Sequence, residues 1–256
     1  MESNNGFSQD QLAAARGKVI LSLDVPSYIE AITVMKLLSE HVGMVKIGKE
    51  LFTTCGPEII RVAIIMGLEV FLDLKYHDIP NTVASACCAA ARHGVKFINV
   101  HALGGPEMMT EAVEAMKKEF GENRPKLLAV TILTSSTRET LKAIGINESP
   151  EDMVIKLALL AKKCGLDGVV CSPKETEIIR AVCGDGFLIV NPGVRPDGTA
   201  ANDQKRIATP GGAIMAGADY LVVGRPILKA EDQAAAADAI VLEVCNTMFP
   251  QITYVQ

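Results

Sequence analysis

The residues best suited to chemistry in this chain are charges set within or at the end of apolar runs. Lys46 interrupts Met44–Gly48, and Asp24 ends Val19–Asp24. Asp73 and Lys75 end Val70–Lys75, with Asp78 soon after, in the string FLDLKYHDIPNT. A lysine on a buried strand is costly unless a carboxylate neutralises it. Asp73 and Lys75 are two apart on a strand and so point to one side, with Leu72 and Leu74 on the other. With Asp24 and Lys46 from neighbouring strands they would form an array of alternating charge, each member stabilising the next. Buried charges arranged in this way mark a candidate catalytic site. The same residues also describe an ordinary ion-pair network, and spacing alone leaves both readings open.

A second group suits an anion. Gly224-Arg225 precedes Pro226 at the end of an apolar run, where backbone N–H groups and a guanidinium fit a phosphate. Arg195 lies in the long polar stretch Pro192–Thr209 (PGVRPDGTAANDQKRIAT), a lid candidate able to clamp the same group. Other runs end in His101, read as a hydrogen-bonding core group, and in Thr134 and Ser135. The four histidines form no HxH or HExxH pair, so a metal centre has little support. The seven cysteines, an odd number with no CxxC, read as reduced thiols of a cytoplasmic protein, and Cys87-Cys88 as small buried side chains.

The elements that must position these groups are short. Eight β-branched or aliphatic runs recur: Val19–Asp24, Met44–Gly48, Val70–Lys75, Phe97–Ala102, Leu127–Leu133, Gly168–Ser172, Leu188–Asn191 and Tyr220–Gly224. Helical spacing fills most intervals, clearest in Val83–Arg92, Met108–Lys118, Met153–Lys163 and Ala234–Cys245. Pro26, Pro57, Pro80, Pro106 and Pro150 stand at or near helix starts. Eight strands alternating with helices over 256 residues predict an α/β fold, a single (β/α)8 TIM barrel with parallel strands. It would span 1–256, with 1–15 a polar extension or leading helix. An open doubly wound sheet is the competitor, but GxGxxG after the first strand and GxxxxGK[ST] are both missing. Aromatics at 4 % and no Trp require an aliphatic core, as in a parallel sheet covered on both faces. A net charge of −5 argues against a nucleic-acid partner, and no apolar run reaches the roughly 18 residues of a membrane span.

FLDLKYHDIPNT resembles the signature of the orotidine 5′-phosphate decarboxylases, in their bacterial form. The similarity runs from about Val19 to Arg225 through LSLD, VKIGKELF, VHALGG, AVTILTS, CGLDGVVCS, NPGVRP, DQKRIATP and VVGRPI. The D-x-K-x-x-D core is shared by a wider set of phosphate-binding barrels, whereas I-P-N-T and Lys46 are more specific. The resemblance implies decarboxylation of orotidine 5′-monophosphate to uridine 5′-monophosphate and CO₂ with no cofactor. It implies Lys75 as the proton donor, flanked by Asp73 and by Asp78 from the partner subunit of a homodimer, with Ile79 also reaching across. Asp24 and Lys46 would hold the ribose, and Thr134 and Ser135 would meet the pyrimidine. Arg195, Gln204, Gly224 and Arg225 would grip the phosphate, and Ile79 and Thr82 would line the site. Two rivals remain. One is a related Mg²⁺-dependent sugar-phosphate enzyme, which places a metal-binding carboxylate at the end of the second strand. The other is a non-catalytic barrel that binds UMP-like nucleotides.

Overall fold

The computed structural model describes residues 6–196 and 208–250. In chain order its elements are α1 (Gln9–Arg16), β1 (Val19–Ser22), α2 (Tyr28–Leu38), β2 (Met44–Gly48), α3 (Lys49–Cys55), α4 (Glu58–Ile65) and β3 (Glu69–Tyr76). There follow α5 (Pro80–Ala91), β4 (Phe97–His101), α6 (Gly105–Phe120), β5 (Lys126–Val130), α7 (Arg138–Ala143), α8 (Pro150–Lys163) and β6 (Gly168–Val170). The chain ends with α9 (Thr176–Cys183), β7 (Leu188–Pro192), α10 (Pro210–Met215), β8 (Tyr220–Val223), α11 (Arg225–Leu228) and α12 (Gln233–Met248). All eight strands are parallel, each pairs with the next, and β8 pairs with β1, which closes the barrel. The expected (β/α)8 barrel is the observed one.

Several of the apolar runs stop short as strands, Gly168–Ser172 at Val170 among them. The run Leu127–Leu133 is strand only to Val130, because its partner β6 ends at Val170, paired with Val130. The run ending in Asp24 is strand only to Ser22, beyond which a single main-chain bond from Leu23 N to Lys46 O continues the pairing. Helix starts follow the proline and capping signals. Ser149 Oγ accepts from Asp152 N at 3.1 Å just before Pro150, and Ser27 Oγ accepts from Glu30 N at 3.3 Å ahead of α2.

The barrel holds two separate apolar layers. Ile20, Met44, Phe71, Phe97, Leu128, Val190 and Val222 fill the interior, where Phe71 and Phe97 meet edge to face at 5.9 Å. Between the strands and the helical jacket lies the larger layer, which includes Leu21, Val45, Leu72, Ile98, Ala129, Val169, Ile189 and Leu221. The larger layer is almost wholly aliphatic, as a parallel sheet buried on both faces requires, whereas the interior one also carries Phe71 and Phe97. Among the described residues no helix is long and apolar enough to cross a membrane.

Candidate active site

The period of two that seats the interior plug also builds the site. Two residues beyond Ile20, Met44, Phe71 and Phe97 come Ser22, Lys46, Asp73 and Asn99, which form the next interior layer toward the carboxyl ends of the strands. Above that layer opens a cavity of about 290 Å³, with Phe71, Val130, Val170 and Val222 among its apolar walls. An apolar floor beneath a few convergent polar groups is the usual form of a small-molecule site.

The four charges expected to alternate do so. Lys46 Nζ lies 3.4 Å from Asp24 Oδ1 and 3.2 Å from Asp73 Oδ2, and Lys75 Nζ lies 2.5 Å from Asp73 Oδ1. Exposure rises outward along this series: the side chains of Asp73 and Lys46 are 10 % and 12 % exposed, that of Lys75 25 %, and that of Asp24 60 %. Ser22 Oγ donates to Asp24 Oδ2 at 2.7 Å and braces the outer end. Burial pushes the Asp73 carboxyl up, but Lys46, Lys75 and the Asn99 amide outweigh it and hold the group below its ordinary value. Asp73 is therefore an anion at neutral pH, and it holds two ammonium groups beneath the cavity.

Lys75 departs from regular strand geometry in a way its spacing did not reveal. Its φ is 53°, in the left-handed region, and it is the one non-glycine residue with positive φ among the described residues. Such a backbone costs on the order of 1–3 kcal/mol and persists where its surroundings impose it. The strand register shifts at the same point: β3 pairs with β4 at Leu72 and Ile98, then again at Tyr76 and Val100. Asn99 fills the gap. Its Oδ1 accepts from Lys75 N at 2.8 Å and its Nδ2 donates to Asp73 Oδ1 at 2.6 Å. The sequence reading passed over Asn99, although a polar residue interrupting the apolar run Phe97–Ala102 was the same signal that singled out Lys46.

Of the residues expected at the site, Asp24, Lys46, Asp73, Lys75, Thr134, Arg195, Gly224 and Arg225 line the cavity together. Arg195 is buried three residues beyond the end of β7, its N–H bonded to Ala208 O, and Arg225 opens α11. Ser135 is exposed next to Thr134 but is not part of the lining. Asp78, Ile79 and Thr82 are exposed at the start of α5 and lie outside the lining, with Asp78 Oδ1 accepting from Ile79 N at 2.7 Å. Gln204, and most of the expected lid, fall outside the described residues. Ser22, Ile132, Leu133 and Val194 line the cavity without having been singled out.

His101, at the end of β4, sits with its ring 5.6 Å from that of His77. Burial, then the charges of His77, Lys49 and Lys75, push its pKa down to about 4, so it is neutral at pH 7 and cannot serve as a cation there. Burial pushes the Cys87 thiol up to about 12, which leaves no thiolate for nucleophilic chemistry. Among the described residues no three His, Cys, Asp or Glu side chains come together as a metal-ligand set.

The fold and the site define a (β/α)8 barrel whose cavity opens over a chain of alternating ammonium and carboxylate groups. The chain belongs to the orotidine 5′-phosphate decarboxylase / HUMPS family, whose model matches residues 17–240. It is 59 % identical over 231 residues to the orotidine 5′-phosphate decarboxylase of Geotalea daltonii, covering 90 % of this chain and 97 % of that protein. The corresponding protein of Trichlorobacter lovleyi is 60 % identical over 231 residues, with 90 % and 96 % covered. Among solved structures, the orotidine 5′-phosphate decarboxylase of Lactobacillus acidophilus matches with a TM-score of 0.79 at 39 % identity, covering 88 % of this chain and 98 % of that one.

Proposed function

We propose that this protein decarboxylates orotidine 5′-monophosphate to uridine 5′-monophosphate and CO₂, the last step of UMP synthesis, without a cofactor. The observation that carries the reading is the Lys75 ammonium held 2.5 Å from Asp73 at the floor of a cavity that Lys46, Arg195 and Arg225 also line. Breaking the bond between pyrimidine carbon 6 and the carboxylate releases CO₂ and leaves the electron pair on carbon 6. No adjacent carbonyl can take that pair as an enolate, so the protein must stabilise it in place. An ammonium beside carbon 6 is attracted more strongly as the charge develops, and then transfers its proton to carbon 6. Water afterwards reprotonates the Lys75 amine.

The remaining roles follow the cavity from floor to rim. Asp24 and Lys46 bind the ribose hydroxyls, and Thr134 and Ser135 meet the pyrimidine ring. Gln204, Arg195, Gly224 and Arg225 take the phosphate, whose binding energy is available for holding the reacting carbon in place. A second copy of the chain brings Asp78 and Ile79 to its neighbour's site, in support of which both are exposed and outside their own cavity's lining, and Thr82, also exposed, lines the completed site. Light scattering that returned only monomers of 27.3 kDa at assay concentration would overturn that arrangement. We also place the protein in the cytoplasm as one barrel domain; its seven free thiols fit a reducing compartment.

The metal-dependent branch of the family is the rival, and Lys46, bonded to two carboxylates, occupies the strand in which that branch carries a metal ligand. One assay separates the readings: loss of orotidine monophosphate absorbance with purified protein, with and without EDTA. Turnover unaffected by EDTA is expected. Absent turnover overturns the proposal, and turnover lost to EDTA and restored by Mg²⁺ favours the rival.

A further inference from the structure

Asn99 is a wholly buried polar side chain that the proposed chemistry leaves without a part. It lies on β4 in the interior layer beneath the cavity but does not line it. Between the Leu72–Ile98 and Tyr76–Val100 pairs, Asp73, Leu74 and Lys75 face Asn99 alone, so β3 carries more residues than β4 can pair. The excess is absorbed where Lys75 turns left-handed. Its N–H then points to the Asn99 side chain, where Oδ1 accepts it at 2.8 Å.

That bond fixes everything else about the amide. A main-chain N–H can only donate, so the amide oxygen must face it, and the amide nitrogen is turned toward Asp73. Nδ2 donates to Asp73 Oδ1 at 2.6 Å, the same oxygen that meets Lys75 Nζ at 2.5 Å, while Oδ2 faces Lys46 Nζ at 3.2 Å. One buried side chain thus reads the backbone of Lys75 and the carboxylate that aims its ammonium.

We propose that Asn99 is a positioning residue for the decarboxylation: it stands in for the missing ladder partner of Lys75 and orients Asp73, so that the Lys75 ammonium is held at a fixed point under the cavity. The inference rests on the function proposed above and deepens it. It separates two jobs that a mutation elsewhere in the charged chain would mix, because Asn99 is clear of the space the ligand would fill.

Asn99→Ala and Asn99→Asp test it together, with thermal unfolding followed for each. Asn99→Ala is expected to lower kcat about 100-fold, the scale of a displacement of about 1 Å at a reacting group, with KM and UMP affinity within about threefold of the parent. Asn99→Asp keeps the acceptor for Lys75 N–H but sets a second carboxyl against Asp73. The titratable groups facing that pair are the charged Lys46 from β2 and Lys75 on β3, and the neutral His101 at the end of β4. While the pair holds one proton, the new carboxyl donates as the amide did; once that proton is lost, two carboxylates repel. The variant's kcat is therefore expected to start falling at a lower pH than the parent's as the pH is raised, a change that mere loss of stability would not produce. If Asn99→Ala fails to fold, this profile decides alone. A kcat for Asn99→Ala within about threefold of the parent, or a parent-like profile for Asn99→Asp, overturns the inference. A parent protein inactive on orotidine monophosphate overturns the proposed function instead, so the two failures are distinct.

Discussion

At the amino ends of the strands Arg124 and Asp167 pair at 2.6 Å, with side chains 11 % and 12 % exposed, and at the carboxyl ends Lys46 and Asp73 pair at 3.2 Å, with side chains 12 % and 10 % exposed. Residue chemistry and burial barely distinguish the two pairs; their other partners do. Asp167 also accepts from Leu127 N at 2.8 Å, and Arg124 donates to Pro125 O at 3.1 Å. Nearby, Arg180 donates to Asp219 and to the carbonyls of Gly217, Gly184 and Phe187, while Asp219 accepts from Ile189 N. These ions are tied into the main chain and staple the loops that enter the strands. In the bonds that build the carboxyl-end chain, charge meets side chain, and its outer members face the cavity. Ions satisfied by backbone hold the fold together, whereas ions satisfied by one another at a cavity floor remain available to a substrate.

The largest effect that would break this contrast belongs to Lys75. Lys75→Ala is expected to fold with little change in melting temperature, since an alanine leaves the left-handed backbone as it was and Asp73 keeps Lys46 and Asn99 as partners. It should bind UMP as the parent does and lose roughly 10⁴-fold or more in turnover, the combined scale of proton transfer and charge stabilisation. Near-normal turnover in the absorbance assay would remove Lys75 from the chemistry and leave the carboxyl-end chain as a structural network like the other.

The carboxyl-end charges were the more legible of the two sets in the sequence. Charges interrupting apolar runs were visible, so Asp24, Lys46, Asp73 and Lys75 could be read together, and their shared cavity follows from the period of two in the interior plug. Eight runs with helices between them sufficed for the barrel. The register shift opposite Asn99 was not visible, because it depends on how β3 and β4 pair, and a single strand carries no record of its neighbour's register. The short helices α3, α7, α10 and α11 were missed for a related reason: at four to seven residues they show less than two turns of periodicity. The amino-end staples were missed too, since Arg124, Asp167 and Asp219 sit just outside the runs and look like ordinary loop charges.

A smaller effect falls on stability at the other end. Asp167→Ala leaves Arg124 buried without its carboxylate and Leu127 N without an acceptor, and it is expected to cost about 3–5 kcal/mol. Urea unfolding measures the loss, and kcat at temperatures well below the transition should stay within a few-fold of the parent. A large fall in kcat with little loss of stability would show that the two ends are not separable in this way.

Acid titration sharpens the contrast from within the carboxyl end. His101 titrates near 4 in the folded protein against an ordinary 6.5, so between these values the unfolded chain binds a proton that the folded protein does not. Stability should therefore fall as the pH is lowered from about 6.5 to about 4. Below the ordinary 3.8 of an aspartate a second loss follows, because the depressed Asp73 contributes stability only while it is ionised. In His101→Gln the first loss should shrink and the second persist. Unfolding midpoints across this range that match the parent's would mean the imidazole is not what opposes protonation there.

The smallest effect is assigned to Glu69, also at the amino end, whose carboxylate meets Lys96 Nζ at 2.6 and 2.5 Å. By distance this pair rivals Arg124–Asp167, but its side chains are 48 % and 39 % exposed. Water already solvates both charges, so pairing them replaces hydration of nearly equal strength and fixes two long side chains. Glu69→Gln is expected to change stability by less than about 1 kcal/mol, a melting shift of no more than roughly 2–4 °C, with activity unchanged. If it instead cost as much as Asp167→Ala, short charge–charge distance alone would explain the amino-end staples, and their backbone partners and burial would lose the distinguishing part given to them.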